Sequence, residues 1–99
     1  MPAPLTHTLR LDRFLWFARL VRTRGAAQAL VDAGMVRLDG RRTQRAAALV
    51  RVGSIIGFAD AARVVRIVRV VRLPQRRGPP AEAAACLGDP AIDAPGNDT

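Results

Sequence analysis

The chain has 99 residues, a formal charge of +8 and a pI near 11.8, with one cysteine (Cys86) and one histidine (His7). That length suits one domain with little room for an enclosed active site, and the composition excludes an intrachain disulfide and a Cys/His metal cluster. The cations are all arginine and segregated: sixteen Arg against four Asp in residues 1–80 give +12, whereas 81–99 carry Glu82, Asp89, Asp93 and Asp98 and give −4. The basic part is therefore the expected polyanion binder.

Residues 1–8 contain two prolines and no periodic pattern, and read as a flexible tail. Residues 9–73 form the expected domain. Leu11, Phe14, Leu15, Phe17, Ala18 and Val21 recur at helical spacing and predict an amphipathic helix over 11–22. Asp12, Arg13, Trp16, Arg19 and Leu20 fall on its other side. No run approaches the eighteen apolar residues of a membrane span; the stretch at 14–21 is short and broken by Arg19. The expectation is a cytoplasmic chain without membrane contact.

A second helix is expected over 24–33, with Thr23 as N-cap and Gly34 as its stop. Alanines line its apolar side, and Arg24, Gln28 and Asp32 form a polar stripe at i, i+4 and i+8. Met35–Leu38 reads as a strand, Asp39-Gly40 as a type I′ hairpin turn, and Arg41–Thr43 as the return. Further strands are expected at Ser54–Ala59 and Ala62–Leu73. In the last, Arg63, Arg66, Arg69 and Arg72 recur every three residues, so a basic helix is an alternative; the wealth of Val and Ile favours a strand. From Pro74 the composition turns to Pro, Gly, Ala and acids. Residues 74–99 read as a largely disordered tail with a helical turn or two at 81–87.

Two constellations carry chemistry. The first is the face of the helix pair: Arg10, Arg13, Trp16, Arg19, Arg22, Thr23, Arg24 and Gln28. Cations spaced along rigid helices can track a phosphate backbone, and the second helix's N-terminus adds N–H groups that favour an anion. Trp16 between arginines offers a base-stacking platform; the alternative is Trp16 packed against the C-terminal tail. The second is the hairpin: Arg37, Arg41, Arg42 and Arg45 around Asp39-Gly40. No carboxylate pair, activated serine, metal-ligand spacing or glycine-rich phosphate loop argues for catalysis, a metal or a cofactor.

The run at 10–42 resembles the S-four RNA-binding domain, also called the alpha-L motif. Arg10-Leu11-Asp12 opens a helix, Gly34 ends a second, and Val36 leads into the Asp39-Gly40 hairpin. Val52-Gly53-Ser54-Ile55 matches the later turn into a strand, with Ser54 where that family usually has Asp. Leu15-Trp16, Ala18-Arg19 and Arg22-Thr23-Arg24, then Gln75-Arg76-Arg77 with Glu82-Ala83, resemble the heat-shock protein 15 family. The resemblance implies an α+β fold, two N-terminal helices packed on a small mostly antiparallel sheet. It implies non-enzymatic binding of structured RNA: ribosomal RNA of the large ribosomal subunit, where a stalled nascent chain still holds its transfer RNA. The chain itself is expected to be a monomer. An RNA-targeting accessory subunit of a modifying enzyme, or a generic nucleic-acid module that also takes DNA, are the alternatives.

Overall fold

The computed structural model describes residues 7–60 and 62–90. Along them run β1 (Leu9–Arg10), α1 (Leu11–Phe17), α2 (Arg24–Asp32), β2 (Val36–Leu38), β3 (Arg41–Thr43), β4 (Leu49–Val50), β5 (Ile55–Ala59), β6 (Val65–Val70), α3 (Pro80–Ala84) and β7 (Leu87–Gly88). Strands β3, β2, β5, β6 and β7 lie side by side in that order, every pairing antiparallel, while β1 pairs with β4 in a separate ribbon. This is the expected α+β arrangement of helices on an antiparallel sheet.

The two-residue period of the strands decides which side chains enter the core. Val36, Ile56, Phe58, Val68 and Val70 are buried in one cluster with Leu11, Phe14, Leu15, Ala27 and Val31 from the helices. Their neighbours Arg37, Gly57 and Ile67, in register across β2, β5 and β6, occupy the opposite sheet face. The segment with arginine every third residue is a strand, as the β-branched residues indicated. Arg66, on the core side, sets its guanidinium 5.6 Å from the Phe58 ring centroid, whereas Arg69 donates from Nη1 to the Gly53 carbonyl at 3.2 Å.

Helix α1 ends five residues before the expected Arg22, at Phe17. Its end is a Schellman turn: the Arg19 N–H bonds the Trp16 carbonyl at 3.1 Å and the Leu20 N–H bonds that of Leu15 at 2.9 Å. Arg19 takes the left-handed position, φ 59°, which costs a non-glycine residue about 1–2 kcal/mol. Its Nε donates to the Gly78 carbonyl at 2.6 Å, a contact that helps hold the conformation. Helix α2 stops the same way with glycine in that position: Gly34 has φ 74°, and Met35 N–H reaches the Leu30 carbonyl at 3.2 Å.

Residues 74–90 differ most from expectation, being folded rather than loose. Arg77 donates from Nε to the Trp16 carbonyl at 3.2 Å, and its Nη2 reaches the Val21 and Arg22 carbonyls, both at 3.5 Å. Ala83 and Cys86 are buried, the Val71 N–H bonds the Cys86 carbonyl at 2.9 Å, and β7 extends the sheet beside β6. Burial pushes the Cys86 thiol pKa up, so its role is packing. Composition misleads here because the anchors are contacts to distant residues: the Arg77 guanidinium on helix-end carbonyls, Gly78 on Arg19, the small buried Ala83 and Cys86, and β7 on β6. The expected N-terminal tail up to residue 6, and residues 91–99, lie outside the described residues.

Gly34→Ala tests the second helix stop. A Cβ there would meet the Arg42 Cδ at 3.4 Å in a left-handed conformation. A cost of about 1–2 kcal/mol is expected, which lowers Tm by roughly 4–8 °C per kcal/mol in a domain this size. Thermal melting followed by circular dichroism reads it, and an unchanged Tm contradicts the assignment.

Candidate nucleic-acid interface

The centre of the helix-pair face is Asp12, which is fully buried although helical spacing put it on the polar side of α1. Its carboxylate accepts from Arg10 Nε at 3.0 Å and Nη2 at 3.1 Å, from Gln28 Nε2 at 3.0 Å and from the Arg13 N–H at 2.8 Å. Arg24 Nε stands at 3.6 Å, an ion-pair contact too long for a hydrogen bond. Burial opposes ionisation and alone would raise the Asp12 pKa. The hydrogen bonds from Arg10 and Gln28, the Arg10 charge and the Arg13 N–H outweigh it and hold the pKa at about 2. The carboxylate therefore stays charged and orients two guanidinium groups. The side chains of Arg10 and Arg24 remain 41 % and 39 % exposed.

No side chain caps the start of α1. Carbonyls of the turn after β3 do so instead: Leu11 N–H bonds Ala48 at 2.8 Å, and Asp12 N–H bonds Ala46 at 3.1 Å. This brings the turn that begins at exposed Arg45 against the Arg10–Asp12 corner. At α2 the Thr23 hydroxyl accepts the Ala26 N–H at 2.9 Å, so Thr23 caps the helix as expected.

Arg19 and Arg22 are exposed and line a groove with Arg77 at the connection between the helices. Arg19 is bonded to Gly78, so it joins two segments as well as presenting charge. Trp16 is half-buried rather than an open platform: its ring lies 5.6 Å from that of Phe17, and the Arg77 guanidinium stands 6.0 Å from its centroid. The packing of Trp16 on the C-terminal segment is thus the arrangement found. Arg13 faces away from Asp12 and borders a separate depression with Phe17 and Leu73.

In the hairpin, Asp39 and Gly40 both have positive φ, 53° and 85°, as a type I′ turn requires. Asp39 also ties the turn to β5, its Oδ1 accepting the Ile55 N–H at 2.9 Å. Arg37 and Arg42 are direct cross-strand partners, a like-charge juxtaposition that is unfavourable unless an anion neutralises it. Arg41 and Arg45 are exposed. The two expected constellations are thus three groups: Arg10, Arg24 and Gln28 on Asp12; Arg19 and Arg22 at the helix connection; and the hairpin arginines. Sequence reasoning missed Asp12 as the organiser and Arg77 altogether. Only the proximity of α1 to α2, and of residue 77 to the end of α1, reveals them. Among the described residues no group of His, Cys, Asp and Glu is placed to hold a metal ion.

The Asp12 pKa makes a pH prediction. An unfolded carboxyl titrates near 3.8 and the folded one at about 2. The stabilisation, about 2 kcal/mol, is present above the unfolded value and lost as pH falls from about 4 to 2. Asp12→Asn should lower stability at neutral pH by about 1–3 kcal/mol and flatten the acid limb. Urea denaturation across pH compares the two proteins; parallel acid limbs would rule the hub out.

The residues that make this interface match known proteins. Residues 9–56 match the family model described as the S4 domain. The chain is 32 % identical over 72 residues to the heat shock protein 15 homolog of Haemophilus influenzae, covering 73 % of this chain and 54 % of that protein. It is 34 % identical over 76 residues to the homolog of Aeromonas salmonicida, covering 77 % and 56 %. The chain thus spans a little over half the length of these relatives. It is 33 % identical over 60 residues to small ribosomal subunit protein uS4 of Halalkalibacterium halodurans, covering 61 % of this chain and 30 % of that one. Among solved structures, the trimeric heat shock protein 15 of Vibrio cholerae superposes with a TM-score of 0.77 at 26 % identity, over 83 % of this chain and 81 % of that one. Residues 9–56 carry the match to the S4 domain, and over most of its length the chain is similar to heat shock protein 15.

Proposed function

We propose that this chain is a non-enzymatic protein that binds structured RNA through its S4 domain, acting on ribosomal RNA of the large subunit during rescue of stalled subunits that retain a nascent chain and its transfer RNA. The observation that carries the RNA reading is the buried Asp12 carboxylate, which holds Arg10 and stands beside Arg24 while both side chains stay partly exposed on the matched domain. The similarity to heat shock protein 15 and to a small-subunit ribosomal protein supports the ribosomal setting. The +12 charge of residues 1–80 steers the chain to RNA, and spaced guanidinium groups then meet phosphates along a folded contour. The same charge repels a second copy, so the reading takes the chain as a monomer on RNA, although the solved relative from Vibrio cholerae is described as a trimer. Among the described residues no helix is long and apolar enough to cross a membrane.

If about five phosphates are neutralised, log affinity against log salt has a slope near −3.5 to −4.5. A slope close to zero in a salt titration on a structured rRNA fragment overturns the mechanism. Competition with duplex DNA at fixed salt separates RNA recognition from general polyanion binding. Arg22 and Arg41 are exposed and their side chains anchor nothing else among the described residues. Arg22→Ala and Arg41→Ala should each reduce the slope by about 0.7–0.9 while leaving Tm unchanged. Arg19→Ala, which also removes the Gly78 contact, should lower both affinity and Tm. Unchanged affinity in the Arg22/Arg41 double variant removes these positions from the interface.

A further inference from the structure

Between the α1–α2 connection and the β5–β6 turn lies a groove of about 680 Å³, within the ~300–1,000 Å³ range of small-ligand sites. Its floor is apolar: Leu20, Val21 and Leu30 pack on the core but keep part of their surface open. Arg19 and Arg22 border it from the helix connection, Arg77 from the C-terminal segment, and Asp60 from the β5–β6 turn. Asp60 and Arg77 lie beyond the matched residues 9–56, so the groove is not a property of the S4 match alone.

Three of these four polar groups, all but Arg22, are held in place before any ligand arrives. Arg19 is fixed by the Gly78 carbonyl, and Arg77 by that of Trp16. Asp60 Oδ1 accepts the N–H groups of Ala62 at 2.9 Å and Val64 at 3.1 Å. Among the described residues its Oδ2 accepts no hydrogen bond. A phosphate alone would gain nothing from an aliphatic floor and would be repelled by the carboxylate. One ligand uses all three features. A nucleotide turned out of a helix directs its phosphate to the arginines and lays its base on the floor beside a guanidinium plane. An exocyclic amino group on that base can donate to Asp60.

We propose that this groove takes one unpaired nucleotide of a bound RNA and favours bases that carry an exocyclic amino group over uracil. The inference rests on the RNA-binding reading above and assigns that RNA a feature: a bulge or loop within reach of the helix connection. Such a nucleotide is already unstacked, so little pairing energy opposes its capture.

The test uses the full chain and three RNA hairpins with one stem sequence: fully paired, with a single bulged adenosine, and with a single bulged uridine. Bulged adenosine should bind about tenfold more tightly than the paired stem, the scale of one captured base. A 2-aminopurine at that bulge should change fluorescence on binding. Ala26 is exposed on α2 and lines the groove, so Ala26→Leu fills it without altering charge or helix propensity much. This variant should lose the bulge preference and keep the affinity and salt slope for the paired stem. Asp60→Asn keeps the acceptor for the turn and should erase the preference for adenosine over uridine. Equal binding of paired and bulged RNA by the unaltered chain, or a bulge preference that survives Ala26→Leu, overturns the groove. Failure to bind any of the three RNAs overturns the RNA-binding reading and the groove with it.

Discussion

A carboxylate cut off from water has to have its charge met where it stands, and Asp12 meets that demand with groups from two helices. Arg10 comes from the residue before α1, Gln28 and Arg24 from α2. Because each donor is drawn to one acceptor, the helices are set in register relative to one another, not merely pressed together by their apolar sides. The side chains of both arginines nevertheless stay partly exposed. Burial of the acid and presentation of the cations are two consequences of one arrangement, which is why an internal ion pair here does not compete with binding.

The second constraint is the end of α1. An arginine in a left-handed position is an unfavourable way to finish a helix, and it is tolerated with help from outside the helix pair. Residues 77–78 provide that help. Gly78 accepts from Arg19, and Arg77 returns hydrogen bonds to carbonyls at the end of α1 and in the connection. The C-terminal segment thereby becomes one wall of the groove beside Arg22. A segment whose composition suggests slack shapes the surface next to the exposed Arg19 and Arg22.

The hairpin follows a different logic. Its turn is dictated locally by Asp39-Gly40, but the Arg37–Arg42 pairing across it is electrostatically unfavourable in the free protein. Arg42 partly relieves this by leaning back over Gly34, where an added Cβ would approach its Cδ. Like charges held face to face on a short ribbon repel in the free protein, and a bound anion would relieve them.

How much was legible follows from the range of each interaction. The second helix with its Thr23 cap and Gly34 stop, the Asp39-Gly40 hairpin, the strand character of the Val/Ile-rich segment and the segregated charge were all readable, because each depends on neighbours within a few residues or on composition alone. The resemblance carried by Arg10-Leu11-Asp12 through Asp39-Gly40 likewise pointed to the α+β fold. What escaped depends on contacts between distant residues. Helical periodicity placed Asp12 in solvent, since it cannot know that Arg24 and Gln28, twelve and sixteen positions on, will cover it. The early end of α1 escaped because arginine does not advertise a left-handed conformation as glycine does. Trp16 lost its open face to one guanidinium 61 residues from the carbonyl it binds, and residues 74–90 gained their order from that contact together with Gly78 on Arg19 and β7 on β6. The sequence by itself determined the charge, the element types and the turn chemistry, which are local quantities; the tertiary structure alone decided which arginines are fixed, which are exposed and which share a groove, because those depend on where the chain returns to itself.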